Sequence, residues 1–508
     1  MLSIDAQIQK HAIENPSKTA ISFYEQKVTY SELAGRCRLA AANLQQYDLA
    51  PGDVVAIICE RSIELIVSIL AVLKLGCVYL PVDKLNPGPR IEYILSNSKA
   101  RLIITDEDLD LGGELPRVHI NDLAQSAKPP AADIEERECD GFCIMYTSGT
   151  TGNPKGTLLP KAGVFNHLQA KIDCVSMSRE SIMAQTAGYY FVNSIWQIFC
   201  PLALGARLVI CDRHLLSSME RFADTIQRDK VNIFQVVPTF LERLLDFARR
   251  ERASFPDLKY IVSSSEKLTC HLVQRHFEVL PGVGLVNAYG MTECSDDILH
   301  YAMSAPPAQQ QDTPIGTPVP HTRVYVIDDH DRVCATGEKG ELCAAGIGLS
   351  DGYLNAPEQT SLAFVEGSRF GLDEKYLYRT GDIGYQREDG NYVYLGRGDY
   401  QVKIGGFRVE LYEIESVLLK HSDITQAAVI CAEEAEKKVM TAFYTTRREI
   451  APRDIETFLR SLLPGYMVPM KFVCLRQFPL TAMEKVDRKK LHEHLEEGEA
   501  AKALSQRK

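Results

Sequence analysis

The sequence lacks the excess of basic residues that nucleic-acid-binding proteins carry. Its 56 lysines and arginines are outnumbered by 67 aspartates and glutamates, which gives a formal net charge of −11. Proteins that bind nucleic acids present basic patches or stripes to the phosphates. The composition therefore argues against a nucleic-acid partner, and an acidic protein partner would need a local basic patch.

Long hydrophobic runs and a secretory leader are also missing. The most apolar stretch, residues 63–82, contains Glu64 and Lys74 and follows Glu60 and Arg61. This pattern is typical of a buried helix that leads into a strand, not of a membrane span. The first residues lack the basic and apolar segments of a signal peptide. We expect no association with a membrane.

The cysteines lack the spacing of zinc ligands. There are 14 of them, and the nearest pair, Cys139 and Cys143, has no second pair or histidine cluster at a suitable distance along the chain. Scattered thiols of this kind favour a reduced cytoplasmic location.

The chain is long enough for several hydrophobic cores. With 508 residues, 45% apolar and 24% charged, it has the composition of a globular protein with two or more domains. Between about residues 50 and 290, short β-rich runs alternate with helical patterns, as in VVAIIC before IELIVSILAVLKLG and NIFQVV before FLERLLDFARR. This alternation predicts an α/β fold with parallel sheets covered by helices.

The pattern changes after about residue 313 to strands separated by glycines, such as TRVYVIDD, GELCAAG and NYVYLGR. A smaller C-terminal part follows, with helices predicted at residues 413–421 and 453–463 and strands at ITQAAVICAEE and KVMTAFYT. We predict a large N-terminal domain at residues 1–396, in which sheets layered with helices adjoin a small β-barrel-like part. A small, mobile α+β domain at residues 397–508 completes the chain, with the boundary near residues 397–400.

The strongest single motif is YTSGTTGNPKG at residues 146–156. Glycines let backbone N–H groups approach phosphate oxygens, hydroxyl groups add neutral donors, and Lys155 supplies positive charge. The motif is not a Walker loop, because Pro154 precedes the lysine and no serine or threonine follows it. A generic loop of this composition would be a flexible turn, so the interpretation depends on the whole string.

The whole string resembles the signature loop of the adenylate-forming superfamily, which includes amino-acid adenylation domains, acyl-CoA ligases and luciferases. Further family motifs follow in order along the chain, namely VTYSEL (28–33), LKLGCVYLPVD (73–83), NAYGMTE (287–293), YRTGD (378–382) and GRGDYQVKIGGFRVELYEIE (396–415). The segments QVKIGGFRVEL, LPGYMVP and PLTAMEKVDRKKL are most similar to nonribosomal-peptide adenylation domains.

The resemblance implies that the protein uses ATP to convert a carboxylic acid into an acyl-adenylate and then transfers the acyl group to a thiol. Because the chain stops soon after Lys490, we expect a free-standing enzyme that loads the phosphopantetheine thiol of a carrier protein in trans.

The resemblance also implies a nucleotide site, with Tyr289 stacked on adenine and Asp382 accepting both ribose hydroxyls, which suits an acceptor-only carboxylate. Thr292 and Glu293 would contact the α-phosphate and Mg²⁺, an ion that prefers oxygen ligands. The complete set of residues implied for ATP is Thr147, Ser148, Gly149, Thr150, Thr151, Gly152, Lys155, Asn287, Ala288, Tyr289, Gly290, Asp382 and Arg397.

Three residues of the C-terminal part carry implied roles in catalysis. Lys485 would stabilise charge that develops between the substrate carboxylate and the α-phosphate. Asp399 would be the hinge about which the domain rotates between the two half-reactions. Lys403 would steady the adenylation conformation or the arriving pantetheine arm. The chain departs from the family pattern at Met483-Glu484, where Asn-Gly is usual, and at Gly405-Gly406, where Arg-Gly is usual.

The acyl pocket implied by the resemblance is lined by Val192, Asn193, Trp196, Gln235, Val262, Ser264, Ala288, Asp296 and Asp297. Enzymes that activate ordinary α-amino acids have an aspartate at the place of Val192, because an ammonium removed from water needs a paired carboxylate. Valine cannot supply that pair. The substrate therefore either lacks an α-ammonium or carries its amine elsewhere.

Asp296 and Asp297 offer an alternative partner for such an amine. Adjacent residues of a strand face opposite sides, so we expect one of the two to point into the pocket. The combination of Val, Trp, Ser and a final Asp resembles domains that activate β-alanine and related β-amino acids. Other interpretations remain open: two solvated aspartates, an acyl-CoA ligase for a small acid, an enzyme for an α-amino or other acid, or a nucleotide-binding regulator without catalysis.

Overall fold

The computed structural model describes residues 3–108, 111–112, 115–124, 135–149, 153–307, 312–398, 401–434, 437–448, 450–479 and 486–495. The chain divides into two compact units. The first unit comprises Met1–Lys84, Glu92–Tyr146 and Gly156–Gly398, and the second comprises Leu85–Ile91, Thr147–Lys155 and Asp399–Lys508. Two short segments from the first third of the chain thus group with its C-terminal residues.

Helices cover much of the first unit and are fewer in the second. In chain order the described α-helices are α1 (Ile4–Glu14), α2 (Tyr30–Leu44), α3 (Ile63–Lys74), α4 (Gly88–Asn97), α5 (Ile120–Ala124), α6 (Lys161–Cys174), α7 (Ser194–Leu204), α8 (Arg213–Ser217), α9 (Met219–Arg228), α10 (Pro238–Glu251), α11 (Cys270–Val279), α12 (Pro357–Ala363), α13 (Leu411–Leu418) and α14 (Pro452–Arg460).

The strands belong to five sheets. In chain order those described are β1 (Thr19–Phe23), β2 (Gln26–Thr29), β3 (Val54–Ile58), β4 (Val78–Pro81), β5 (Leu102–Thr105), β6 (Arg117–His119), β7 (Gly141–Thr147), β8 (Lys155–Pro160), β9 (Ile182–Gln185), β10 (Arg207–Ile210), β11 (Ile233–Val236), β12 (Tyr260–Ser263), β13 (Gly284–Met291), β14 (Asp296–Met303), β15 (Thr317–Pro318), β16 (Thr322–Ile327), β17 (Gly340–Gly346), β18 (Phe364–Glu366), β19 (Tyr376–Gln386), β20 (Tyr392–Arg397), β21 (Gln401–Ile404), β22 (Phe407–Glu410), β23 (Ile424–Glu434), β24 (Lys437–Thr446) and β25 (Lys471–Cys474).

The largest sheet has nine strands in the order β15-β14-β13-β12-β11-β9-β10-β1-β2. Its middle pairs are parallel, whereas β13–β14, β14–β15 and β1–β2 are antiparallel. A second sheet has six strands in the order β6-β5-β3-β4-β7-β8. Helix α3 packs into the core between them, with ten of its twelve residues buried.

A smaller antiparallel sheet completes the first unit, with β16, β17, β19 and β18 in order and β20 paired to β19. The second unit contains the hairpin β21–β22 and the sheet β23-β24-β25, against which α13 and α14 pack. Parallel sheets covered by helices, with a separate α+β part, confirm the predicted fold class. None of the helices within the described ranges is long and apolar enough to cross a membrane.

Candidate active site

The hairpin β13–β14 carries two of the predicted motifs, because NAYGMTE ends in its turn and the aspartate pair begins its second strand. A short 3₁₀ turn at Thr292–Cys294 joins the strands. Gly290 must be glycine, since a Cβ there would lie 2.1 Å from the carbonyl oxygen of Asp296. The hairpin therefore places residues implied for nucleotide binding and residues implied for substrate binding on adjacent strands.

Three residues implied for the nucleotide lie together. The hydroxyl of Tyr289 donates to Asp382 Oδ2 at 2.6 Å, and Arg397 donates to Asp382 Oδ1 at 2.7 Å. Arg397 also donates to the carbonyl oxygen of Thr380 at 3.0 Å. Each oxygen of a carboxylate accepts more than one hydrogen bond, so Asp382 retains acceptor sites for ribose hydroxyls while its position is fixed from both sides.

Glu293 is fully buried in the hairpin turn. The hydroxyl of Tyr353 donates to its Oε1 at 2.7 Å, and the hydroxyl of Tyr378 lies 3.5 Å beyond. Thr292 precedes Glu293 in the same turn. Asn287, earlier on β13, donates to the carbonyl oxygen of Pro314 at 2.7 Å. A buried carboxylate with a hydrogen-bonded orientation has the oxygen chemistry that Mg²⁺ requires, so the residue present at this position fits the ion.

Both Asp296 and Asp297 are buried, and both face helix α6. The expectation that one of them would point away is wrong, as is the alternative that both are solvated. Alternation of side chains requires extended backbone at both residues. Asp296 instead has φ +101°, after Ser295 at φ +63°, and the pairing of β13 with β14 shifts between Tyr289 and Gly290. The irregular start of β14 turns two consecutive carboxylates to one side.

Helix α6 supplies the partners of the two carboxylates from one face. His167 and Lys171 are four residues apart, a spacing that places side chains on the same face of a helix. His167 Nε2 lies 3.0 Å from Asp296 Oδ2, and the Lys171 ammonium forms an ion pair with Asp297. His300 Nε2 lies 3.4 Å from Asp297 Oδ2.

The pKa values of these groups separate because their surroundings differ. Burial and the adjacent charge of Asp297 raise the pKa of Asp296. Burial also acts to raise the pKa of Asp297, but Lys171 and His300 more than offset it and hold the value below the usual range. Burial and the Lys171 cation lower the pKa of His300 to about 4, so that imidazole is neutral at pH 7. Asp297 is thus the well-compensated carboxylate and Asp296 the poorly compensated one.

Trp196, Gln235 and Ser264 form a buried hydrogen-bonded chain. The indole N–H of Trp196 donates to Gln235 Oε1, and Gln235 Nε2 donates to Ser264 Oγ. The Lys171 ammonium lies 4.8 Å from the centroid of the Trp196 ring. Lys171 therefore connects this chain to the aspartates, and the structure brings together five of the nine side chains predicted for the pocket.

The remaining pocket residues lie around this group. Val262 on β12 is flanked by Gln235 on β11 and by Val286 on β13, and Ala288 is two residues further along β13. Val192 and Asn193 precede the first turn of α7, which carries Trp196. Among the residues that the structure describes, no hydrogen-bond partner is present for the buried Oδ1 of Asn193, so this atom is available as an acceptor for a ligand.

The glycine-rich loop belongs to the second unit. The Gly149 N–H donates to Glu413 Oε2 at 2.8 Å, and Arg90 forms an ion pair with the other oxygen of Glu413. Ser148 Oγ donates to the carbonyl oxygen of Arg408 at 2.9 Å. A loop whose N–H group holds a carboxylate has the donor chemistry for phosphate oxygens.

The other residues predicted for the loop and for catalysis are only partly described. Thr147 ends β7 and Lys155 begins β8, whereas Thr150, Thr151 and Gly152 lie outside the described residues. Lys403 lies on β21, where its carbonyl oxygen accepts from Lys438 at 3.1 Å. The predicted hinge Asp399 and the predicted catalytic Lys485 lie outside the described residues.

Sequence reasoning missed His167, Lys171 and His300. A signal was present in the segment NHLQAKIDC, where a histidine and a lysine four residues apart lie among Val164, Leu168 and Ile172 on the buried side of an amphipathic helix. Charged groups are rarely fully buried without a partner, so such a pair indicates carboxylates nearby. Their identity required the tertiary structure.

Comparison with known proteins identifies the family of the chain. The profile of the AMP-binding enzyme family matches residues 8–354, and that of the AMP-binding enzyme C-terminal domain matches residues 413–485. Zwittermicin A synthase ZmaJ of Bacillus cereus is 32% identical over 95% of this chain and 93% of its own length. Tyrocidine synthase 2 of Brevibacillus parabrevis is 34% identical over 96% of this chain, which spans only 13% of that larger protein.

The fold is also found among solved structures. NpsA-ThdA of Klebsiella oxytoca, an artificially fused adenylation–PCP di-domain, superposes with a TM-score of 0.83 at 28% identity, over 92% of this chain and 93% of that one. Both family profiles, the relatives and the fold agree with the motifs described above. The chain belongs to the AMP-binding enzyme family, as an adenylate-forming adenylation domain of the kind that acts in nonribosomal peptide synthesis.

Proposed function

We propose that this adenylate-forming enzyme activates a short amino acid whose amine is β to the carboxylate or further away, with β-alanine or a small relative as the best single candidate. The acyl group is then transferred to the phosphopantetheine thiol of a carrier protein in trans. The observation that carries the proposal is that the buried carboxylates of the predicted pocket are Asp296 and Asp297, whereas the position of Val192 is apolar.

The charges around the aspartates support an aminated substrate. Two carboxylates face one lysine ammonium, that of Lys171, and His300 is neutral at pH 7. The group therefore has one carboxylate more than it has lysine partners. An isolated buried carboxylate is costly, and a substrate ammonium relieves that cost. Asp296 is the preferred partner, because the Lys171 ammonium already compensates the charge of Asp297.

The polar side chains near Trp196 support a small substrate. Trp196, Gln235 and Ser264 already satisfy one another by hydrogen bonds, and the indole limits the depth available to an acyl chain. The free acceptor of Asn193 offers a place for a second N–H of the substrate ammonium or for a polar substituent.

In the proposed assignment, residues 1–396 form the core that holds ATP and the acid, and residues 397–508 form the mobile domain that carries Lys485. Tyr289 holds the adenine, Asp382 and Arg397 hold the ribose side, and the glycine-rich loop with Lys155 holds the phosphates. Thr292 would contact the α-phosphate and Glu293 would hold Mg²⁺, which neutralises phosphate charge during displacement. Lys403 would steady the adenylation conformation or the pantetheine arm.

Two relatives support a carrier protein as the acceptor. NpsA-ThdA is described as a fusion of an adenylation domain with a PCP domain. ZmaJ is matched over 93% of its length, so little of that relative lies outside the adenylation domain, which supports an acceptor on a separate chain.

Pyrophosphate exchange across a panel of acids tests the substrate. The panel contains β-alanine, 3-aminobutyrate, 4-aminobutyrate, the ordinary α-amino acids, fatty acids and aryl acids. We expect exchange to be fastest with a short β- or ω-amino acid. Preference for an α-amino, fatty or aryl acid over every β- and ω-amino acid tested would refute the substrate proposal. Transfer from the adenylate to a phosphopantetheinylated carrier, compared with transfer to free CoA, tests the acceptor.

Asp399→Pro is predicted to slow thioester formation more than adenylation. Proline fixes φ near −65° and so restricts rotation at the proposed hinge. Pyrophosphate exchange reports the first half-reaction, and single-turnover transfer of the acyl group to the carrier reports the second. Asp399→Ala, which leaves the backbone free to rotate, is the matched control. Equal losses in both half-reactions for the proline variant would argue against a hinge at this residue.

A further inference from the structure

Lys171 is unusual among the lysines in the described part of the chain because its side chain is completely buried. Its ammonium has three donors, and the partners around it are the Asp297 carboxylate and the face of Trp196, 4.8 Å from the ring centroid. Removing an ammonium from water is costly even when one carboxylate compensates it. Leucine or methionine at position 171 would suit the hydrophobic neighbours on α6 without this cost, which indicates that the charge of Lys171 has a role.

A metal centre does not explain this charge. His167, Asp297 and His300 have ligand atoms within 4.8 Å of one another, which is close enough for a metal ion. The oxygen that such an ion would need, Asp297 Oδ2, is the one paired with the Lys171 ammonium. A metal ion bound there would lie directly against the Lys171 cation and would have to compete with it for the same carboxylate oxygen.

We propose that Lys171 determines specificity by acting as a built-in substitute for a second substrate ammonium. Its charge lies against Trp196 and Asp297, two of the residues assigned to the acyl pocket, and it compensates Asp297, whereas Asp296 faces the His167 imidazole. The enzyme therefore accepts acids with one amine and rejects diamino acids. The second ammonium of a diamino acid would need Asp297 as its partner, and Lys171 already occupies that place. This inference rests on the proposed function, because it presumes that an aminated acid occupies the pocket.

Like charges at contact distance in a buried site repel strongly, and a protein can reject a competitor by such a repulsive element. The same lysine also fills the room beside Asp297 that a longer amine would need. Removing the lysine down to Cβ should therefore both vacate that room and leave Asp297 free to bind the second ammonium of a diamino acid.

A matched pair of substrates isolates the effect of the second amine. 3-Aminopentanoate and 3,5-diaminopentanoate share a carbon chain and differ by one ammonium. In the unaltered enzyme, kcat/KM in pyrophosphate exchange should favour 3-aminopentanoate. In Lys171→Ala the ratio should shift toward the diamino acid by at least about tenfold, the size of change that pocket contacts commonly produce. n-Propylammonium, which replaces the missing part of the lysine, should restore exchange with 3-aminopentanoate.

Lys171→Met is the control, because methionine removes the charge but keeps most of the length. Both variants leave Asp297 without its cation and so share any general loss of stability. We expect Lys171→Met to shift the ratio clearly less than Lys171→Ala, because it removes the repulsion but still fills the room beside Asp297, and to show no rescue by n-propylammonium. Thermal melts show whether each variant is folded. If Lys171→Ala does not fold, Lys171→Ser replaces it, with the same expected outcomes.

The outcomes separate this inference from the function on which it rests. If the unaltered enzyme activates no β- or ω-amino acid, the proposed function fails. If it prefers 3-aminopentanoate but the ratio is the same in Lys171→Ala, or if Lys171→Met shifts as far as Lys171→Ala, the proposed role of Lys171 is overturned while the function stands.

Discussion

Lys485→Ala is expected to lower the rate of adenylate formation by at least about a thousandfold. A loss of this size is comparable to or larger than that caused by removing one hydrogen-bond donor that stabilises charge in a transition state. Lys485 is proposed to act on charge that appears only as the carboxylate attacks the α-phosphate, so the loss should fall on the chemical step. ATP affinity should change by only a few-fold, because ground-state binding is proposed to depend on Tyr289, Asp382, Arg397 and the glycine-rich loop.

Pyrophosphate exchange measures the first effect, and titration with a fluorescent ATP analogue measures the second. Lys490→Ala is the matched control, since Lys490 lies five residues further on with a side chain that is 59% exposed and has no proposed role in the reaction. The control should keep normal exchange. Near-normal exchange in Lys485→Ala itself would remove that lysine from the mechanism, and a large loss of ATP affinity would assign it to binding instead.

Much of the fold is predictable from local patterns. The strand predicted at ITQAAVICAEE is observed as β23 at Ile424–Glu434, since an amphipathic or buried strand has a characteristic distribution of apolar residues. The helix predicted at residues 453–463 is observed as α14 at Pro452–Arg460, which begins one residue earlier and ends three residues earlier. Helix ends depend on caps and packing, which a pattern of apolar residues does not determine.

The site is less predictable because its geometry depends on contacts between distant parts of the chain. Gly149 and Glu413 are 264 residues apart, yet the loop N–H donates to that carboxylate. Asp296 faces helix α6 because its φ is positive, and the sequence alone does not predict a positive φ at an aspartate. Motifs could assign residue types to chemistry, but only the tertiary structure could show that Lys171 lies between Trp196 and Asp297.

Asp296→Asn should weaken the activation of an aminated acid by ~2–4 kcal/mol, or roughly 30- to 700-fold in kcat/KM, as expected when one partner of a buried ion pair is removed. Asparagine keeps the shape of the side chain but removes the negative charge that the substrate ammonium would meet. An uncharged acid of similar size, such as 3-hydroxypropionate, should be activated about as well by the variant as by the unaltered enzyme.

Asp297→Asn provides the comparison, because the two aspartates are adjacent and equally buried but differ in their partners. Its loss leaves Lys171 buried without a carboxylate, so the free energy of unfolding should fall by ~3–5 kcal/mol, whereas Asp296→Asn should cost much less stability. Denaturant titration measures this difference, and pyrophosphate exchange with β-alanine and 3-hydroxypropionate measures the preference for an amine. If Asp297→Asn removes that preference while Asp296→Asn preserves it, the substrate ammonium pairs with Asp297. If neither substitution alters the preference, the amine is bound elsewhere and the carboxylate pair does not select the substrate.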